Sequence, residues 1–116
     1  MKNTRPPDSL LPLPTAMFHI LTALAEEELH GYAIMQDVAG RTKGKVKMSP
    51  GTLYGAMRRM LELGLIVETA ERPDPESDNE RRRYYRMTTF GRQVAIAESA
   101  RLLALVNQAK QIGWVG

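Results

Sequence analysis

The sequence predicts a mainly α-helical fold with one small antiparallel β-hairpin, and three observations support this. Apolar residues recur at helical spacing in four separate segments of the chain. Two short segments rich in β-branched or aromatic residues flank a turn-rich stretch of prolines and acids, as in a hairpin. The chain has 116 residues, of which 43% are hydrophobic, which is enough for one modest core and too little for two.

The first 14 residues show few features of a folded element. Prolines interrupt their apolar part, Leu10–Pro14, and neither a cleavage pattern nor a membrane-length apolar run follows. We therefore expect a flexible N-terminal arm over residues 1–14 and a cytoplasmic protein with no membrane partner. The absence of cysteine excludes disulfides, thiolate metal sites and cysteine nucleophiles. Because His19 and His30 cannot form a metal site without carboxylate ligands, we also expect no metal and no cofactor.

Two helices are expected next. Thr15 follows a proline and precedes apolar residues spaced i, i+3, i+4 and i+7, which predicts a first helix over residues 15–27. Three consecutive glutamates at its C-terminal end oppose the helix dipole and should stop the helix there. A second, short helix opens at His30-Gly31-Tyr32 and ends at Gly40. The inward residues of these two helices are Met17, Ile20, Leu21, Leu24, Ile34, Met35 and Val38.

The third helix has the best-defined start. Lys45–Met48 leads into it as a brief strand or an extended link, Ser49 is a good cap, and Pro50 suits the first helical position. Gly55 lies near the middle of the outer face, although an interior glycine costs about 1 kcal/mol relative to alanine, so we expect a partner to approach closely there. Gly64 places the helix end near Leu63. The apolar stripe is Leu53, Met57, Met60 and Leu61, and the outer face is Thr52, Gly55, Arg58, Arg59 and Glu62.

A hairpin and a long helix complete the chain. Residues 65–69 and 83–88 are expected to pair as antiparallel strands around a polar loop over residues 73–79. Thr88 or Thr89 then caps a last helix that extends to about residue 112. This helix has more apolar surface than one small domain can cover, and a second copy about a two-fold axis is the simplest partner. The expected dimerisation residues are Phe90, Val94, Leu102, Leu105 and Val106.

This order of elements is that of a winged helix-turn-helix domain with an appended dimerisation helix. The expected divisions are a flexible arm over 1–14, a DNA-binding domain over 15–88 and a dimerisation helix over 89–116. Charge along the chain agrees with a DNA partner, because residues 41–59 and 81–92 are basic blocks without any acid. Between these blocks, residues 71–80 form an acidic tip that we expect to extend past the duplex.

The candidate DNA-binding residues divide by chemistry. Arg58 and Arg59 project toward a groove, where a bidentate arginine reads a guanine edge, although one of them touches only phosphate in an alternative reading. Hydroxyls and free amides at the start of the third helix suit phosphate oxygens, and the linker lysines supply non-specific attraction. In the alternative interpretation these residues have only structural roles. Ser49 and Gly51 then only begin the helix, Tyr54 lies in the core, and Arg81 to Arg83 form a solvated strand. The full set is Tyr32, Lys43, Lys45, Lys47, Ser49, Gly51, Thr52, Tyr54, Gly55, Arg58, Arg59, Arg81, Arg82 and Arg83.

Several ordered motifs resemble those of the PadR family of bacterial transcriptional regulators, over roughly Leu13 to Leu105. They are Phe18-His19-Ile20-Leu21, His30-Gly31-Tyr32-Ala33-Ile34, Ser49-Pro50-Gly51-Thr52-Leu53-Tyr54, Leu61-Glu62-Leu63-Gly64-Leu65-Ile66 and the run from Arg81 to Gly91. The resemblance implies a homodimeric repressor whose third helix enters the major groove of double-stranded DNA and whose wing touches the flanking backbone or minor groove. It also implies release by a small aromatic or amphiphilic effector. The chain is similar to the shorter members of the family, so the interface between terminal helices is the expected place for a ligand.

Two rival functions come from other classes. A winged helix can serve as a protein-interaction module without DNA binding, but this role leaves both basic blocks unexplained. An enzyme is disfavoured because the sequence shows no phosphate-cradling glycine loop, metal cluster or nucleophile with a nearby base. Trp114, the only tryptophan, is either a tail anchor or a residue that stacks on an effector.

Overall fold

A computed structural model describes residues 5–74 and 77–116, with side chains described outside residues 73–81. The described residues form four α-helices and a small three-stranded antiparallel sheet, which confirms the predicted fold class. A 3₁₀ helix at Pro7–Leu10 comes first. The remaining elements are α1 (Thr15–Ala23), β1 (Leu29–His30), α2 (Gly31–Arg41), α3 (Pro50–Glu62), β2 (Ile66–Asp74), β3 (Ser77–Met87) and α4 (Thr89–Gln111).

The first helix is shorter than the sequence predicts. It ends at Ala23 rather than at residue 27, and Leu24 closes it with backbone hydrogen bonds to the last turn. The chain must leave the helix here because Leu29 and His30 pair with Tyr85 and Tyr84 of β3. Local sequence carries no sign of this two-residue strand, since the pairing is made with a segment more than fifty residues away.

The caps of α2 and α3 are formed by the residues that precede each helix. His30 accepts the Ala33 N–H at Nδ1, and Ser49 accepts the Thr52 N–H at Oγ, with Pro50 in the first position. Gly64, at φ 76°, ends α3 as predicted. Residues 45–48 form an extended link without strand pairing. On α3 the apolar stripe is buried as expected except for Leu61, which is 39% exposed because it lies about 100° beyond the last buried residue, Met60.

The hairpin is longer than predicted. β2 and β3 pair from Ile66 opposite Met87 out to Asp74 opposite Ser77, so most of the predicted loop over 73–79 continues the strands. Residues 75 and 76, and the side chains of the expected acidic tip from residue 73 onward, lie outside the described residues. The order in the sheet is β1-β3-β2, which attaches the base of the hairpin to the start of α2.

Part of the expected flexible arm is packed on the core. The 3₁₀ helix contacts α4, and Leu13 is a buried core residue. The Leu13 N–H donates to Oε1 of Glu98, a carboxylate of α4 that is only 2% exposed. Arg101 donates to both carboxylate oxygens, at 2.7 and 2.8 Å. A buried carboxylate thus holds the N-terminal segment against the last helix.

Replacing Glu98 with glutamine should destabilise the protein at neutral pH by about 1–3 kcal/mol, because charge-assisted hydrogen bonds are lost. The Arg101 hydrogen bonds hold the pKa of Glu98 below its usual range against the opposing effect of burial, and the Leu13 N–H adds to the lowering. The carboxylate therefore stabilises the fold above the unfolded-state pKa of about 4.3, and this contribution disappears as the pH falls through the lower folded-state value. Urea unfolding at pH 7 and at pH 3 measures both effects.

The exposed Glu62→Gln variant is the matched control for this experiment and should change stability by less than about 0.5 kcal/mol. A Glu98→Gln difference that stays constant between pH 7 and pH 3 contradicts the assignment.

The last helix divides into a packed half and a projecting half. Phe90 and Val94, expected in the dimer interface, are buried in the core of their own chain at 8% and 0% exposure, so they offer no surface to a partner. They lie on the turns of α4 that cover the domain, whereas Leu102, Leu105 and Val106 lie beyond it and are exposed. Thr88 caps α4 by accepting the Gly91 N–H. Among the described residues, every helix is too short or too polar to cross a membrane.

Candidate nucleic-acid interface

The outer face of α3 is an open surface with positive charge. Leu53, Met57 and Met60 anchor the helix in the core, which leaves Arg58 and Arg59 exposed on the opposite side. Within the part of the chain that the structure describes, neither guanidinium has a hydrogen-bond or ion-pair partner. Both arginines therefore retain their full donor set for an external acceptor.

Gly55 makes the middle of this face flat. A Cβ at Gly55 would meet nothing within 4 Å, so the fold itself does not require glycine there. Gly51 is also exposed, and the nearest atom to a Cβ at that position is Ser49 Oγ at 4.0 Å. The absence of side chains lets a flat or convex partner approach the helix backbone closely.

The hydroxyls at the start of α3 have different roles. Ser49 Oγ accepts the Thr52 N–H at 3.1 Å and donates to Thr52 Oγ1 at 3.0 Å, so its proton is engaged within the protein. The Thr52 hydroxyl accepts that bond and keeps its own proton for another acceptor. Both residues are exposed beside the positive end of the helix dipole. The geometry thus favours Thr52 as the donor and Ser49 as the residue that orients it.

Tyr54 connects the two helices of the helix-turn-helix. It is 47% exposed, and its ring lies against Gly31 at the start of α2. A Cβ at Gly31 would overlap the Tyr54 hydroxyl and lie 2.8 Å from Cζ, so a larger residue at position 31 would displace the Tyr54 ring from α2. Tyr32, the next residue of α2, is 57% exposed. Sequence reasoning did not assign a role to Gly31, although its position directly after a helix cap was the available signal.

The linker lysines lie between α2 and the start of α3. Lys43, Lys45 and Lys47 are exposed. Lys43 and Gly44 have φ values of 53° and 79°, and the Gly44 N–H donates to Ala39 O at 2.7 Å, which closes the end of α2. This left-handed turn separates α2 from the linker that carries Lys45 and Lys47 to the start of α3.

The hairpin arginines are placed differently from one another. Arg83 is exposed, whereas Arg82 is half-buried with Nη1 3.2 Å from His30 Nε2 at the start of α2. The Arg81 side chain lies outside the described residues. Arg72 of β2 stacks over the Tyr84 ring, 4.1 Å from its centre, and pairs with Glu28. These contacts fasten the base of the wing to the segment that begins α2.

Two further features of the site concern titration and metals. Burial raises the pKa of the Tyr85 phenol on β3, and the nearby Glu68 carboxylate raises it further. Among the described side chains, those of residues 5–72 and 82–116, histidines and carboxylates form no cluster able to hold a metal ion.

These elements define a winged helix-turn-helix protein, with α2 and α3 as the helix pair and β2–β3 as the wing. Residues 20–97 match the family model described as "Transcriptional regulator PadR-like family". The chain belongs to this family of transcriptional regulators, which confirms the resemblance drawn from its motifs and a regulatory rather than an enzymatic role.

Three similar proteins illustrate the relationship. The transcriptional regulator Rv3488 of Mycobacterium tuberculosis is 35% identical over 85 residues, covering 73% of this chain and 72% of the relative. An uncharacterised protein of Lysinibacillus sphaericus is 33% identical over 73 residues, or 63% of this chain, and the match spans 64% of that relative's length. The crystal structure of Bacillus subtilis PadR in complex with operator DNA superposes with a TM-score of 0.63 at 19% identity, covering 74% of this chain and 47% of the other.

Proposed function

We propose that this chain binds double-stranded DNA in a sequence-specific manner as a homodimeric repressor. The observation that carries the proposal is the outer face of α3, where Arg58 and Arg59 are exposed, without partners among the described residues, beside a flat glycine surface. A major groove about 12 Å wide admits such a helix, and arginine pairs with the guanine edge displayed there. The operator complex of the B. subtilis family member supports the same use of the fold.

Phosphate contacts would come from groups around the helix. Thr52 and the free amides near Gly51 lie at the positive end of α3, and Tyr54 and Tyr32 lie at the junction with α2. Linker lysines and the exposed Arg83 extend the positive surface to both sides. We therefore assign recognition of the bases to α3, and binding of the DNA phosphate backbone to the linker and the wing.

We also propose how the dimer is organised on DNA and how its binding is regulated. Residues 15–88 act as the DNA-binding domain and residues 89–116 as the dimerisation helix, with two recognition helices about 34 Å apart on an inverted repeat. A small aromatic or amphiphilic effector, bound between the terminal helices, releases the repressor. Such a regulator acts on chromosomal DNA in the cytoplasm.

The test is a binding titration at several salt concentrations. Fragments selected from a genomic library should contain inverted repeats, and fluorescence anisotropy should give a log–log salt slope of roughly −7 for about four phosphate contacts per subunit. A poly-anion competitor at low salt provides the control for non-specific binding. If the protein leaves DNA unbound even in dilute buffer, it is a protein-interaction module instead.

A further inference from the structure

The imidazole of His30 lies between the helix pair and the wing. On one side, Nδ1 accepts the Ala33 N–H at 3.3 Å and caps α2. On the other side, Nε2 is 3.2 Å from Nη1 of Arg82, on β3. The ring is half-buried and packs edge-on against Tyr84 of the same strand, with ring centres 5.3 Å apart. His30 therefore contacts α2 and the wing at the same time.

The two nitrogens of this ring face two hydrogen-bond donors. A backbone N–H and a guanidinium can only donate, whereas a neutral imidazole carries one proton and offers one acceptor. The neutral ring therefore accepts from Ala33 or from Arg82, and from only one of them at a time. The protonated ring accepts from neither, and it places a second positive charge beside the guanidinium. Protonation thus removes the bond that either neutral form makes.

The described charged and titratable side chains around the ring come from both strands of the wing and from the segment before β1. On β3 they are the Arg82 guanidinium and the Tyr84 phenol. On β2, Arg72 lies over the Tyr84 ring and pairs with Glu28, so this nearby carboxylate is engaged by another cation. Within the described part of the chain, a proton on His30 is therefore placed beside positive charge.

The start of α2 also connects the wing to the recognition helix. Gly31 follows His30 directly, and the phenol ring of Tyr54 on α3 lies against it. On the wing side, Arg83 is adjacent to Arg82 on β3 and is exposed. In the proposed function α3 and the wing bind the same duplex, so their relative position depends on the segment that His30 holds.

We propose that neutral His30 positions the wing relative to α3 and that its protonation releases the wing from DNA. The inference rests on the DNA binding of the proposed function and adds a way to regulate that same site. His30 is a positioning residue, because it acts through α2 and β3 rather than by touching DNA. A histidine side chain changes its charge between about pH 5 and pH 8, so modest acidification should weaken DNA binding.

The first test measures operator affinity by fluorescence anisotropy at about pH 7.5 and about pH 5.5. Wild-type affinity should fall by roughly tenfold on acidification, as expected for one hydrogen bond lost in each of two subunits. Added positive charge alone would strengthen DNA binding, so the expected change opposes the general electrostatic effect. Affinity that stays constant or rises at the lower pH would overturn the inference.

Two variants assign the effect, because the chain has two histidines. His30→Asn keeps a side chain that caps helices well but does not take up a proton, so its affinity should no longer fall on acidification. His19→Gln changes a half-buried residue of α1 and is the matched control, which should keep the wild-type pH profile. A fall in affinity that His30→Asn retains, or that His19→Gln abolishes, would overturn the inference.

The salt dependence separates release of the wing from a general loss of folding. If the wing leaves the phosphate backbone, the magnitude of the wild-type log–log salt slope should decrease by about 1–2 for a dimer at the lower pH. Partial unfolding of the whole protein would lower the affinity without changing the slope. Lower affinity with an unchanged slope would therefore overturn the inference and leave the proposed function intact, whereas no DNA binding at either pH would overturn both.

Discussion

Replacing Gly91 with alanine is expected to lower the free energy of unfolding by about 3 kcal/mol, although alanine is normally the better helix residue. Gly91 lies in the first turn of α4, directly against the chain that enters β2. A Cβ there would overlap the Leu65 carbonyl oxygen and lie 3.0 Å from its carbonyl carbon. Backbone atoms cannot move aside as a flexible side chain can. The first turn of α4 and the segment at Leu65 would therefore have to move apart.

Several hydrogen bonds join the start of α4 to Leu65, and this movement would strain them. Leu65 O accepts the Thr88 N–H and the Thr88 hydroxyl, each at 3.1 Å, and Thr88 caps α4 through the Gly91 N–H. Thermal unfolding should show a midpoint lowered by roughly 10–20 °C for a chain of this size. Gly55→Ala is the matched control, since it has open space around the new methyl group and should raise stability by about 0.5–1 kcal/mol. An alanine at position 91 that leaves the midpoint unchanged would contradict the packing described.

Features specified by neighbouring residues could be predicted from the sequence. Ser49 and Pro50 determine the start of α3 because a cap and a first-turn proline act within one helical turn. Gly64 marks the end of α3 for the same local reason, since its left-handed conformation disfavours other residues. The exposure of Arg58 and Arg59 also followed from the 100° helical period once the buried stripe was identified.

Features that depend on distant contacts could not be predicted in the same way. The two residues of β1 form a strand only because β3 lies beside them, and α1 ends early for this reason. Buried Glu98 needs hydrogen-bond partners, and one of them, the Leu13 N–H, lies 85 residues earlier. Phe90 and Val94 share an apolar pattern with the exposed residues farther along α4, and only the position where the helix leaves the domain separates the two groups.

The candidate site also combines features that neighbouring residues specify with features that depend on distant contacts. The sequence identified the residue types of α3, but the contact between Tyr54 and Gly31 depends on how α2 and α3 cross. Similarly, Arg82 and Arg83 are adjacent in a basic run, yet one faces His30 and the other faces solvent. Alternation along a strand predicts opposite faces, while the presence of His30 on one of them depends on the third strand.

Arg58→Ala is expected to reduce discrimination between the selected operator and unrelated DNA by about 1–3 kcal/mol, which corresponds to roughly 5–150-fold in relative affinity. Its guanidinium is exposed on the outer face of α3 and free of partners in the described structure, so its bidentate capacity is available to a guanine edge. Lys45→Ala is the matched control, because this exposed linker lysine contributes charge without a defined donor geometry. It should weaken binding to operator and unrelated DNA by the same factor and lower the magnitude of the salt slope by about 1–2 for a dimer.

Comparing Arg58→Ala with Lys45→Ala distinguishes recognition of the bases from non-specific electrostatic attraction to DNA. Competition anisotropy on the operator and on a scrambled duplex of equal length, at two salt concentrations, gives both the affinity ratio and the slope for each. Arg58→Ala should change the ratio, while Lys45→Ala should change the slope and leave the ratio intact. If both variants lose the same affinity on both duplexes, Arg58 acts only as a phosphate ligand, and base reading must come from another residue on the outer face of α3, with Arg59 the first to test.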